Sequence, residues 1–153
     1  MTNILSYFKN KRTLEELYLK PLLQYVNNNA TNAATAGSQL TLMIDVKSNA
    51  DKTYKVLALL LQKYRTILSG YQNGELIMRN ASVVITGHKP YNLLTGEDNR
   101  LAFFDEDLTQ AGQDSTTNIY RVANCKYSSL VKWKGKGRIS DSDVQRLEYF
   151  VLQ

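Results

Sequence analysis

One stretch of the chain has a pattern regular enough to organise the rest. Leu40-Thr-Leu-Met-Ile-Asp-Val-Lys47 is rich in β-branched and aliphatic residues, with Gly37 and Ser38 before it and Ser48-Asn49 after it. That composition and punctuation predict a buried strand. Side chains alternate along a strand, so Leu42, Ile44 and Val46 share one face and Thr41, Met43, Asp45 and Lys47 the other. The first face is purely apolar and suits a layer of helices. The second turns ionic only at its C-terminal end, at Asp45 and Lys47. Burying an unpaired ion is strongly unfavourable, so this couple calls for partners, a metal or a bound anion nearby. In α/β folds the C-terminal edge of the sheet is also where sites form. A structural Asp45–Lys47 pair, or a solvated strand end, fits the same residues.

The rest of the pattern alternates helix and strand. Thr13-Leu-Glu-Glu16 has the form of a capping box, so a helix can start after Thr13. Leu14, Leu17, Leu19, Leu22 and Leu23 supply its apolar contacts. Pro21 interrupts it, which predicts a short turn and then a helix from about Pro21 to Val26. Asn27 to Ser38 reads as a polar surface loop. After the organising strand, Ser48 or Asn49 can cap a helix that runs to about Tyr64 or Leu68 and is ended by Gly70. Its apolar positions from Tyr54 to Tyr64 wrap much of the circumference, so it should be well buried.

Ala81 to Thr86 is a second buried strand, followed by the loop Gly87-His88-Lys89-Pro90 and a helical turn. Leu101 to Phe104 is a third strand, ending in Asp105-Glu106-Asp107, and Tyr120 to Ala123 a fourth. Lys132-Trp-Lys-Gly-Lys-Gly-Arg138 is a loop. Ser140 then caps a last helix with Val144, Leu147, Phe150 and Val151 on one face. Strands alternating with helices predict an α/β chain with βα units and a parallel sheet.

Composition narrows this picture without redirecting it. The 153 residues suit a single domain, 1–153, with a proper core, and 43% hydrophobic with 22% charged residues is ordinary for a globular chain. No run of about 18 apolar residues exists, so no membrane span is expected. Met1 to Lys11 lacks the apolar centre of a secretory signal. The compartment stays open, because a leader could lie outside this sequence. Cys125 is the one cysteine, which excludes an internal disulfide and a cysteine metal cluster, and its expected role is a small core residue. His88 is the one histidine, so neither a histidine-rich metal site nor a pair of catalytic histidines can come from these residues. Asn29-Ala-Thr31 and Asn80-Ala-Ser82 match the glycosylation pattern, which matters only in a secreted eukaryotic protein. The net charge of +5 leans mildly towards anionic partners.

Few residues are left to carry chemistry. The Asp45 carboxylate can bind a hard cation, and the Lys47 ammonium can offset phosphate charge as a point cation. His88 and Lys89 follow a strand directly in a glycine-containing loop, which suits either an anion-binding loop or an exposed loop histidine. Lys132, Lys134, Lys136 and Arg138 surround Trp133. Basic residues interleaved with an aromatic can hold nucleic acid or a lipid headgroup, or form a solvated loop with the ring packed down. No fold-level motif supports nucleic acid, which is not an expected partner. P-loop, G-x-G-x-x-G, G-x-S-x-G and H-E-x-x-H motifs are all missing.

Several segments, taken in order, add up to a family. They are Arg12-Thr-Leu-Glu-Glu-Leu-Tyr-Leu-Lys-Pro-Leu22, Leu40 to Lys47, Val83-Val-Ile-Thr-Gly-His-Lys-Pro90, Ala102-Phe-Phe-Asp105 and Lys132-Trp-Lys-Gly-Lys-Gly137. Together they resemble the phosphatidylinositol phospholipase C and glycerophosphodiester phosphodiesterase superfamily, in the branch that includes altered inheritance of mitochondria protein 6. The resemblance runs from about Arg12 to Gln153. It implies a TIM (β/α)8 barrel and cleavage of a phosphodiester or phospholipid headgroup, assisted by a divalent metal, Ca2+ or Mg2+. Asp45 then matches a metal-ligating carboxylate, Lys47 a catalytic cation, and His88 and Lys89 the substrate-binding loop at the mouth, where relatives more often carry Asn or Asp before a basic residue and Pro. The family's histidine-bearing first strand, its Glu-x-Asp strand and its second histidine have no match here, and Met1 to Lys11 cannot supply them.

A whole barrel takes about 250 residues. The chain is therefore expected to be the middle of a barrel, truncated at both ends, with a non-catalytic phosphate or phospholipid headgroup binding module as the alternative to a hydrolase. A partial barrel exposes strand edges, and exposed edges invite association. The isolated chain is expected to form a homo-oligomer through those edges or to rearrange them. Light scattering reads this directly, and a stable monomer with a closed sheet would count against it.

Overall fold

A computed structural model of the chain describes residues 12–29, 39–110 and 118–151. The chain groups into two compact units, Met1–Phe103 and Phe104–Gln153.

The first unit opens on the capping box. The Glu16 backbone N–H donates to Thr13 Oγ1 at 3.2 Å, and the helix starts at Leu14 as expected. Pro21 does not break it. The chain widens into a π turn, α1 (Glu15–Leu19), where Lys20 N–H donates back to Glu15 O, and continues as α2 (Lys20–Asn29). Pro21 follows directly on that wide turn, as the second residue of α2. The expected turn before Pro21 is replaced by that wide turn. Asn27 to Asn29 are helical rather than loop, and the rest of the expected loop lies outside the described residues. The Glu15 carboxylate accepts from Tyr64 Oη at 3.1 Å and from Lys63 Nζ at 3.4 Å, which ties α1 to the turn after the next helix.

β1 (Leu40–Val46) and β4 (Ala81–Gly87) pair in parallel, in register from Leu40↔Ala81 to Val46↔Gly87. The alternation along β1 is as expected, but the strand is covered on one face only. Val46 is buried and Leu42 and Ile44 half-buried, whereas Thr41, Met43 and Asp45 are exposed. The strand buried on both faces is β4, where no residue from Ala81 to Ile85 is more than 2% exposed. The reason lies in composition: β4 carries only small or apolar side chains along that run, while every second residue of β1 faces a side it shares with ionic groups.

The crossover between them carries α3 (Ala50–Gln62), capped by Asn49, whose side chain accepts from Lys52 N–H at 3.0 Å. Tyr54, Leu57 and Leu61 form its buried stripe. Val56 and Leu59 are 70% and 75% exposed, so the helix is not wrapped by apolar contacts as its composition suggests. Gly70 does not end it. α3 stops at Gln62, and Gly70 opens β2 (Gly70–Gln72), which pairs antiparallel with β3 (Glu75–Ile77) and β5 (Asn99–Arg100). A Cβ at Gly70 would sit 2.5 Å from Arg100 O, so β2 can lie against β5 only with glycine there. The β2–β3 turn, Asn73-Gly74, has both φ values positive, at 50° and 88°. That is the hairpin geometry these two residue types favour. This small sheet was not anticipated. α4 (Tyr91–Thr95) follows Pro90 as expected.

The second unit holds the other parallel pair. β6 (Phe103–Asp107) and β7 (Tyr120–Asn124) run from Phe104↔Tyr120 to Asp107↔Asn124, with an irregularity between Phe104 and Asp105. β6 starts two residues later than its apolar run suggests and takes in the acidic residues, because Asp105 Oδ2 accepts from Asn124 Nδ2 at 2.9 Å on the neighbouring strand. Cys125 is half-buried rather than core. α5 (Tyr127–Leu130) and α6 (Asp141–Val151) complete the unit, and Ser140 caps α6 by accepting from Asp143 N–H at 3.2 Å. Each unit is α/β with one parallel pair, and neither pair closes into a barrel. No helix among the described residues is long and apolar enough to cross a membrane.

A buried polar cluster braces the first unit. Tyr54 Oη donates to Glu97 Oε2 at 2.6 Å, and Arg100, 3% exposed, stacks over the Tyr71 ring at 4.3 Å. Burial, then the bond to Glu97, pushes the Tyr54 hydroxyl far above its ordinary pKa of 10.0. The folded state therefore holds that proton more tightly than the unfolded state does. Its contribution is present below about pH 10 and is lost as pH rises further. Tyr54→Phe is expected to cost about 1–3 kcal/mol at neutral pH and to flatten the fall in stability above about pH 10. Urea midpoints on both sides of that pH test it, and an unchanged slope would count against it.

Candidate functional site

Because β1 and β4 are parallel and in register, their C-terminal ends lie side by side. Asp45 pairs with Thr86 and Val46 with Gly87. Registered partners in a parallel sheet share a face, so Thr41, Met43 and Asp45 stand on the same side as Ser82, Val84 and Thr86. The loop after β4 folds back over this end: His88 N–H donates to Val46 O at 2.8 Å. The His88 Nδ1 atom lies 2.9 Å from Ser48 O. A carbonyl can only accept, so Nδ1 carries the proton, and in the neutral ring Nε2 holds a lone pair. Lys89 is half-buried beside it, and Pro90 is buried at the start of α4.

Asp45 and Lys47 do meet. Lys47 Nζ lies 2.6 Å from Asp45 Oδ2, with the two side chains 79% and 49% exposed. The expected penalty for burying this couple is absent, because the face that carries it is open. Exposed pairs of this kind contribute up to about 1 kcal/mol. The sequence argument from burial cost therefore fails, although both residues do lie at the C-terminal end of the strand.

Gly87 is the residue that sequence reasoning passed over. Its φ is +77°, and a Cβ there would collide with Asp45 Oδ1 and with Val46 O. The carboxylate therefore lies against the bare backbone of the neighbouring strand. Only glycine permits both the left-handed conformation and that approach. The available signal was a glycine closing an apolar strand directly before His88.

Among the described residues no group of three or more His, Cys, Asp or Glu side chains could hold a metal ion. Asp45 offers one carboxylate. That fits a single ligand position of Mg2+, which often takes one or two carboxylates with water and substrate phosphate, and not a protein cage. Cavities open elsewhere among the described residues. One, of about 540 Å³, lies between Thr13, Leu14, Ile44 and α3; another, of about 780 Å³, lies in the second unit around Trp133. Asp45, Lys47, His88 and Lys89 line neither.

A family model described as the AIM6-like phosphodiesterase domain matches residues 2–105. The match takes in Asp45, Lys47, Gly87, His88 and Lys89. It stops short of the Lys132–Gly137 stretch that contributes to the resemblance. No curated protein and no solved structure matches the chain.

The Gly87 geometry has a measurable consequence. Gly87→Ala combines a disfavoured φ with a clash against Asp45, so it is expected to destabilise the first unit by at least about 1–3 kcal/mol. Urea denaturation measures this. An unchanged midpoint would mean that the carboxylate does not rest where it is described.

Proposed function

The chain belongs to the AIM6-like phosphodiesterase domain family, and from that premise we propose that it is a phosphoric diester hydrolase acting on a lipid or glycerophosphodiester with a divalent cation. One observation supports this reading beyond membership. Within the matched stretch, a carboxylate, an ammonium and an imidazole stand on the adjoining C-terminal ends of two parallel strands.

Each group has a role that its chemistry suits. Asp45 would hold the Ca2+ or Mg2+ ion, with water and phosphate oxygens filling the remaining positions. Such an ion, when bound, polarises the phosphoryl oxygens and neutralises charge that develops on them. Lys47 places a point cation beside the diester and takes the catalytic role of offsetting negative charge in the transition state. His88, held through Nδ1 by Ser48 O, would offer Nε2 to ligand, and Lys89 would add charge to the substrate-binding loop. A single imidazole serves as acid or as base in one step and not as both, so these 153 residues do not furnish a two-histidine acid–base pair.

A second reading is favoured by the Asp45–Lys47 contact itself. With one carboxylate oxygen already paired to an ammonium, the edge suits binding of a phosphate or phospholipid headgroup without turnover.

The two readings separate in one experiment. With Mg2+ or Ca2+ and bis(p-nitrophenyl) phosphate, Asp45→Ala in the complete protein is expected to lower turnover by at least about 100-fold, with circular dichroism unchanged. Unchanged turnover in that variant would refute the role of Asp45. Headgroup binding that survives in a protein without turnover would establish the second reading instead.

A further inference from the structure

The second unit contains a surface that the proposed hydrolysis does not use. From residue 118 to residue 140 the chain has six cationic side chains and no Asp or Glu. Lys132, Lys134 and Lys136 are exposed around Trp133. The first two acids that follow are already engaged. Asp143, 9% exposed, accepts the Lys132 backbone N–H at 3.3 Å through both carboxylate oxygens, and Asp141 lies 3.7 Å from Arg138.

The loop around Trp133 is closed on itself. The indole Nε1 donates to Lys136 O and to Gly137 O, each at 3.1 Å. Gly135 and Gly137, with φ of +81° and +71°, make the reversal that brings those carbonyls inward. Nothing lies within 4 Å of the space a Cβ would take at either glycine, so the rim of the loop is open. The polar edge of the ring is thus satisfied inside the loop. What remains for a partner is apolar ring surface, beside the cavity of about 780 Å³ lined by Tyr127, Val131, Lys132, Trp133 and Lys134. Tyr127 is 49% exposed.

We propose that this loop docks the protein on an anionic lipid bilayer. An aromatic whose N–H is already bonded can enter the interface without leaving a polar group unpaired, and lysines beside it keep their ammonium groups at headgroup level. Lys132, Lys134 and Lys136 alternate with Trp133 and Gly135 along an exposed loop, and a row of charge of this kind suits a plane of anions. The inference does not rest on the hydrolase reading, because it concerns residues outside the family match.

Trp133 is the only tryptophan in the chain, so its emission reports on this loop alone. On phosphatidylcholine vesicles containing about a third phosphatidylserine, Trp133 emission is expected to shift to the blue and the protein to sediment with the vesicles. Both effects are expected to disappear at about 1 M salt, where screening acts over about 3 Å. Replacing Lys132, Lys134 and Lys136 together by Gln is expected to weaken partitioning about 100-fold, with circular dichroism unchanged. Equal binding to vesicles of phosphatidylcholine alone, or no response to either, would overturn the proposal. So would displacement from vesicles by dilute soluble glycerophosphate, which would mark a single-anion site, or tighter binding to a single-stranded oligonucleotide than to vesicles.

Discussion

The register between β1 and β4 is the constraint on which the candidate site depends. Side chains alternate with a period of two, so a slip of one residue would send Asp45 to the face of Leu42 and Ile44. Three features hold the register. β1 is covered on one face only, so a slip would turn Val46 out to solvent and bring the Asp45 carboxylate under cover. Leu40 N–H donates to Asn80 O at 2.9 Å at one end of the ladder, and His88 N–H to Val46 O at 2.8 Å at the other. Gly87 is the point where the ladder becomes the loop. Its bare Cα leaves room for the Asp45 carboxylate, and its left-handed φ turns the chain so that His88 can reach back to Val46 and Ser48. The placement of acid, cation and imidazole is therefore a property of the backbone ladder more than of the ion pair.

What the sequence made legible were the features set by local physics. Alternation marks β1 and β4 within a residue of their ends. Thr13, Asn49 and Ser140 are caps because their side chains accept from amides of the first turn that have no helical partner. The features that escaped depend on what lies opposite. β1 looks buried from its aliphatic content, yet which strand is covered on both faces is decided by its neighbours. Val56 and Leu59 share a helix with Leu57 and Leu61, and composition cannot tell which stripe meets the sheet. Gly70 reads as a helix stop, although it serves a close approach to Arg100 O that only the fold reveals. Asn73-Gly74 is a hairpin signal in itself, but the strands on either side are three residues each and scarcely alternate, so the pattern around it does not mark a sheet.

Electrostatics divides the first unit into two regimes. Tyr54, Glu97 and Arg100 interact in the interior. Burial and Glu97 raise the Tyr54 hydroxyl, and burial depresses the Arg100 guanidinium against the opposing pull of Tyr54, Tyr71 and Glu97. Strongly shifted groups often mark functional sites, but these side chains bond and stack with one another and so brace the small antiparallel sheet against α3. The Asp45–Lys47 edge is the reverse case, exposed and screened by water. Its fields become strong only when a ligand excludes that water, since the same pair of charges interacts several times more strongly once it is withdrawn from a dielectric of about 80.

That difference bears on how an open edge can act on a diester at all. In water a point cation attracts a phosphate at about 4 Å by only about 1 kcal/mol, which selects poorly among dilute anions. A site built this way gains most from a high local concentration of substrate, because it has little affinity of its own to contribute. An amphiphilic diester held in a membrane supplies such concentration when the protein is retained on the same surface. The second unit gathers cations, three aromatic rings and no acid over one stretch, outside the residues that carry the family match. If the edge acts on lipid, retention and chemistry are then separate demands met by separate segments.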